Sequence, residues 1–219
     1  GFDQIDFKDG TTVFDETDIL TNKYAGDIVV HQGARVSALD DMWIGAGSFT
    51  VGTGSGEEVA TYADLELTHG ATIHSNADFN LANGGRLIVG INGDYDTGSI
   101  ETSGEIHVAG PTLEGETVVE PGFTVYANVI AGIDLTVGHD LTIGYAEGGV
   151  SLTGDAAPTV VDNSILFNFT TGASENDLYL TVGREKSIND IIDEGGDGTP
   201  NKDSISSALE GYLSNFFFF

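Results

Sequence analysis

Apolar and polar residues alternate in short runs from residue 24 to residue 182, and each run ends in a turn built on Gly, Asn or Asp. The segments 27–36, 64–73, 78–87, 116–125 and 134–143 carry one phrase: apolar positions at every second residue, a short turn, then the alternation again. A period of two predicts half-buried strands. Many such strands with close turn signals predict an all-β chain, and the loose repetition predicts a parallel β-solenoid, or β-helix. At about 20 residues to a rung the body would have about eight rungs, and at ~4.8 Å per strand it would be about 40 Å long. The predicted inward set includes Ile28, Val30, Val36, Leu65, Leu67, Ile73, Phe79, Leu87, Val125, Leu135, Val137, Leu141, Leu152, Leu178 and Val182. Their neighbours, mostly Thr, Ser, Asp, Glu and His, face out.

The chain divides into three parts. Residues 1–23 form an N-terminal cap or first rung, with Asp9-Gly10 as the turn of a hairpin. Residues 24–183 form the solenoid body. Residues 184–219 form a C-terminal linker, an amphipathic helix and an apolar tail. Ser187 can cap a short helix over 188–193, and an acidic Gly-rich loop follows. Ile205, Ala208, Leu209, Tyr212 and Leu213 then recur at helical spacing. The run of Phe at 216–219 would need cover from the rod or a neighbouring copy.

Composition narrows the partners. The 219 residues include 35 acidic and 7 basic ones, a formal charge of −28. Phosphate backbones are repelled, so nucleic acid is excluded as a partner, and anionic membranes are disfavoured. Divalent-cation binding and life in high salt are the sharper readings of that charge; solubility is the plainer one. There are 31 Gly and only 4 Pro, which suits left-handed corners between strands with intact ladders. No Cys is present, and no apolar run is long enough for a membrane helix. The chain opens at Gly1 without an initiator Met, as a mature product or an excised fragment would.

The stretch from about Phe167 to Leu213 resembles the distal end of autotransporter passenger domains. The matching residues are the aliphatic strand Asp177-Leu-Tyr-Leu-Thr-Val-Gly-Arg184, then Asn201, then Ile205-Ser-Ser-Ala-Leu209. Glu120-Pro121-Gly122 and the Leu-Thr-Val and Leu-Thr-Ile rungs are similar to that family's β-helical bodies. The resemblance implies a secreted or bacterial cell-surface β-helix, released or assembled. No ten-residue alternating segments follow Leu213, so the family's barrel, membrane insertion and self-secretion are not carried over.

Candidate chemistry is sparse. No Gly-x-Ser-x-Gly elbow occurs, and residues 52–56 lack the Lys of a phosphate loop. Asp40-Asp41 and Glu57-Glu58 are adjacent on the chain, and strand neighbours point to opposite faces. Gly138-His139-Asp140 and Arg184-Glu185-Lys186 only partly match the Gly-His-Gly and Arg-x-Lys of pectinase-like sites. His31, His69, His74, His107 and His139 are scattered rather than convergent, which predicts outward strand residues rather than a metal centre. Asp193, Asp197, Asn201 and Asp203 partly match a calcium loop, with Gly195 at the third position and no Glu at the twelfth.

The expectation is therefore a non-catalytic structural or adhesive surface protein with no catalytic, cofactor or metal residues. Its expected partner is another copy, joined head to tail into an oligomer or filament, or a ligand on a host or neighbouring cell. The alternatives are a polysaccharide lyase or hydrolase on the same frame, and an extracellular module stabilised by calcium.

Overall fold

A computed structural model describes residues 3–14, 26–45, 47–52, 61–130, 133–164 and 166–184. Every regular element among them is a strand. The strands follow one another in short passes. The first pass is β1 (Gln4–Phe7) and β2 (Gly10–Phe14). The next three are β3 (Asp27–Val30), β4 (Ala34–Ala38) and β5 (Met42–Trp43); β6 (Phe49–Val51), β7 (Ala63–Leu67) and β8 (Thr72–Ser75); and β9 (Phe79–Leu81), β10 (Gly85–Ile91) and β11 (Ser99–Thr102). Then come β12 (Ile106–Ala109), a hairpin of β13 (Thr112–Glu114) and β14 (Thr117–Glu120), β15 (Thr124–Val129) and β16 (Asp140–Ala146). The last are β17 (Val150–Thr153), β18 (Thr159–Asp162), β19 (Phe167–Ala173) and β20 (Asp177–Arg184).

Each pass contributes its strands in turn to three six-stranded sheets. Sheet A runs β1-β3-β6-β9-β12-β17, sheet B β2-β4-β7-β10-β15-β18, and sheet C β5-β8-β11-β16-β20-β19. Neighbours in sheets A and B are parallel throughout. Sheet C is parallel from β5 to β16. It then reverses: β20 pairs antiparallel with β16, and β19 antiparallel with β20. The expectation of about eight parallel rungs is therefore corrected in two respects. Among the described residues each of the three large sheets has six strands, because a pass is as long as 44 residues between His107 and Ser151. The C-terminal strands turn back instead of continuing the series.

Register explains the core. On sheet B, Val36, Leu65, Leu87 and Val125 are successive partners and all are 0% exposed. On sheet A, Ile28, Phe49, Phe79 and Ile106 form another such row, with the two Phe rings stacked at 5.0 Å. Met42, Ile73 and Ile100 supply the row on sheet C. Side chains alternate across a strand, so in-register parallel strands put every second residue into one continuous dry interior. Phe167, Phe169, Leu178, Leu180 and Val182 of the closing hairpin join the same cluster.

The corners between sheets need left-handed backbone. Gly122 returns the chain from the β13–β14 hairpin into sheet B at φ +75°. A Cβ there would lie 2.5 Å from the backbone carbon of Gly110, so both the torsion and the contact select glycine.

Three sequence expectations fail here for identifiable reasons. Asp9-Gly10 is a corner, not a hairpin turn: β1 pairs with β3 and β2 with β4, in different sheets. Val137 is 52% exposed because a tight turn, with His139 N–H donating to Thr136 O at 3.0 Å, precedes β16. Leu152 keeps inward register beside Val108 but is 39% exposed, since β17 ends sheet A. The predicted helices at 188–193 and 205–213, the Asp193, Asp197 and Asp203 loop, and the tail 216–219 lie outside the described residues.

Leu135 and Val137 look equivalent in sequence and separate in the fold. Leu135 is 1% exposed. Leu135→Ala should cost about 2–5 kcal/mol, as buried Leu truncations do. Val137→Ala should change stability by under about 0.5 kcal/mol. Urea titrations of both variants read the difference, and equal midpoints would refute the assignment.

Candidate functional site

Outer faces of the sheets carry the polar chemistry. On sheet C one outward row crosses four strands. Trp43 partners His74, His74 partners Glu101, and Glu101 partners Tyr145. Each follows or precedes an inward residue by one position, so alternation turns it outward. The Trp43 and His74 rings stack at 3.9 Å and 14°. His74 Nδ1 lies 2.8 Å from Glu101 Oε2. Trp43 and Tyr145 are 45% and 40% exposed, and Glu147 lies two residues beyond Tyr145 on the same face. Together with Ser75, Asn76, Thr102 and Ser103 these residues line a shallow cleft of about 310 Å³. Aromatic faces beside hydrogen-bonding groups are a common binding chemistry.

Sheet B carries a second row, Thr11–Arg35–Asp64–Arg86–Thr124, again in direct register. Arg86 donates to both Asp64 oxygens, from Nε at 2.8 Å and from an Nη at 2.7 Å. Its guanidinium lies 4.6 Å over the Tyr62 ring and 5.9 Å from that of Tyr126. The hydrogen bond to Asp64 raises the Arg86 pKa further, against burial, which lowers it. Arg35 donates to Glu66 from Nε at 3.0 Å and contacts its other oxygen at 2.6 Å, and Ser37 Oγ also donates to Glu66. Burial works to raise the Glu66 carboxyl, but the Arg35 and Ser37 hydrogen bonds and the Arg35 charge outweigh it. Glu66 is left below the usual carboxylate value.

Other carboxylates tie one pass to the next through backbone N–H groups. Asp27 accepts from Ser48 at 2.9 Å, Asp41 from Thr72 at 2.9 Å, and Asp78 from Glu105 at 2.8 Å. Asp94 accepts from Thr136 and Asp155 from Leu113, at 2.8 and 2.7 Å. Part of the acidic excess thus serves as inter-pass fastening, which sequence reading could not separate from simple solvation.

The residues singled out in sequence are placed apart. Asp41 is engaged with Thr72, and Asp40 is exposed, so the two do not face one another as an acid–base pair. His31 sits 2.7 Å from Asp6, and the hydrogen bond from His31 heads the causes that lower the Asp6 carboxyl. His69 lies 3.3 Å from Asp96, His107 contacts Ser151 at 2.7 Å, and His139 contacts the Asp94 carbonyl at 3.1 Å. Asp140 accepts from Thr181 Oγ1 at 2.6 Å, away from that His139 contact. Among the described residues no three His, Asp or Glu side chains are placed to hold a metal ion. Glu57, Glu58, Glu185 and Lys186 lie outside those residues. The Trp43–His74–Glu101–Tyr145 row escaped sequence reading; its only signal was polar or aromatic residues at outward parity beside Met42, Ile73 and Ile100. No family model matches the chain, and no curated protein matches it.

Two variants test this account of the charges. Glu66 has a depressed folded pKa, so its contribution is present above the unfolded carboxylate pKa and is lost as pH falls through the lower folded value. Glu66→Gln should therefore reduce stability at neutral pH, and its difference from the parent should shrink over the acidic range below the ordinary Glu value. A difference that stays constant through that range would refute the assignment. Asp78→Ala should cost about 1–2 kcal/mol while Asp78→Asn, which retains an acceptor, recovers most of it. Equal melting temperatures for the two variants would remove the latch.

Proposed function

We propose that this chain is a non-catalytic structural or adhesive β-solenoid of the secreted or bacterial cell-surface kind. In the solenoid reading the three sheets are the sides of one rod wound by successive passes. Six strands at ~4.8 Å make a stack about 25 Å long. The carrying observation is the use made of outer-face charge. Arg35–Glu66, Arg86–Asp64 and the Asp27, Asp41, Asp78, Asp94 and Asp155 acceptors all join segments from successive passes. These groups are spent on holding passes together, which suits a scaffold better than a reaction centre. The autotransporter-like reading of 177–184 supports a surface location, and β20 occupies that aliphatic segment.

Self-association belongs to the same proposal. Strands β1 and β2 at one edge, and β17 and β18 at the other, have ladder partners on one side only among the described residues. Such edges attract further strands.

An antibody to the folded chain should label intact, unpermeabilised source cells. The purified chain should release no reducing or unsaturated ends from pectin or alginate, and should sediment as oligomers at high concentration. Labelling only after lysis would overturn the surface reading. Turnover of either polysaccharide would overturn the non-catalytic one, and a strictly monomeric chain would remove the self-association.

A further inference from the structure

We infer that the cleft on sheet C binds an organic cation, namely the guanidinium or ammonium group of a basic peptide segment. This deepens the adhesive reading above by naming the chemistry of a partner, and it rests on that reading for its biological setting.

The argument starts from how this chain handles cations of its own. At Arg86 the guanidinium lies over the Tyr62 ring at 4.6 Å and is held by both oxygens of Asp64. At His74 the imidazole lies on the Trp43 ring at 3.9 Å with Nδ1 2.8 Å from Glu101. In both places a group able to carry positive charge meets an aromatic face and a carboxylate supplied by adjacent segments. The two attractions act together, since the ring quadrupole and the carboxylate both favour a cation.

Further along the sheet C row the same two kinds of group, an aromatic ring and a carboxylate, line the cleft without a basic side chain to match them. Tyr145 is 40% exposed and is the register partner of Glu101. Glu147 is exposed on the same side of the chain, and no described basic side chain pairs with it. His74, the one basic group in the cleft, is taken up by Trp43 and Glu101. Tyr145 and Glu147 thus bring a ring and a carboxylate to the border of one cleft of about 310 Å³, room for a side-chain head group.

Long-range charge selects the same class. A formal charge of −28 concentrates cations near the surface and speeds their encounter. A peptide source fits better than a free amine. The row runs across the strands, its Trp43 and Tyr145 ends three strand steps or ~14 Å apart, and an extended basic segment laid along it sets same-side residues four positions apart at that spacing.

Trp43 is the chain's single Trp and lines the cleft, so its emission reports occupancy directly. The test titrates the full chain with a hexapeptide alternating Arg and Thr, with its citrulline counterpart, with arginine amide, and with a neutral hexasaccharide. The Arg peptide should shift Trp43 emission and bind at least tenfold more tightly than the citrulline peptide. Arginine amide should compete only weakly. The paired change Tyr145→Leu and Glu147→Gln should weaken Arg-peptide binding at least tenfold with an unaltered melting curve. Glu116→Gln, on the distant β13–β14 hairpin, should leave binding unchanged.

Equal binding of the Arg and citrulline peptides would overturn the inference, as would preference for the hexasaccharide or no binding at all. Arg-peptide binding that survives the paired change would reduce the effect to general attraction by the acidic surface and would equally remove the site. Arginine amide binding as tightly as the peptide would replace the peptide by a free amine. Loss of peptide binding in chains that still label intact cells would count against this site alone. Labelling confined to lysed cells would count against the surface reading alone.

Discussion

Everything in this fold depends on parallel strands keeping their register from one pass to the next. Val36, Leu65, Leu87 and Val125 are consecutive partners although the chain between them varies in length. A slip of one residue would turn a whole row outward and bury its polar neighbours. The core therefore fixes phase, while corners absorb differences in length. The β13–β14 hairpin shows how far this goes: it leaves after Pro111, returns at Gly122, and Thr124 still meets Arg86.

Parallel stacking also explains why so many carboxylates coexist in one small chain. Charge of one sign opposes compaction. Here a part of it is set against backbone N–H groups or arginines of the next pass, where it favours the stack. Asp27, Asp78 and Asp94 accept backbone hydrogen bonds at corners, and Asp64 and Glu66 hold the two arginines of sheet B. Exposed ion pairs alone contribute little. A carboxylate that satisfies an otherwise orphaned backbone donor does more, because that donor would otherwise require water or cost free energy.

Strand parity was legible in the sequence because a period of two needs only local residues. Ile28, Leu65, Phe79 and Leu141 are all inward as alternation predicts. What failed needed knowledge of where strands end. Leu135 and Val137 share parity and both precede β16, but Val137 lies within the turn spanned by the His139 N–H to Thr136 O bond, where Gly138 has φ +84°. Asp9-Gly10 has the composition of a hairpin turn, and a corner between two sheets uses the same left-handed glycine. The sheet C row was illegible for a stronger reason. Trp43, His74, Glu101 and Tyr145 come from four passes, and only the register of Met42, Ile73, Ile100 and Gly144 aligns them. No local pattern contains the lengths of the intervening corners.

A parallel stack has no intrinsic reason to stop, and this chain supplies two. On sheet C, β20 reverses direction against β16 and β19 returns beside it, so the series of parallel passes ends in a hairpin that covers the β16 edge. On sheet B the last strand places Asp162 beside Ala127, a position whose side chain is 0% exposed in the row beneath. Another strand added in the same register would carry that carboxylate, which accepts from Ser164 N–H at 2.9 Å, into an apolar column, and burying a charge there costs free energy. An inward-directed charge on an edge strand is a known way of blunting the edge. Leu152 and Val160 still offer apolar surface at this end. The inward rows that hold the stack together thus also set the terms on which this end can accept a further strand.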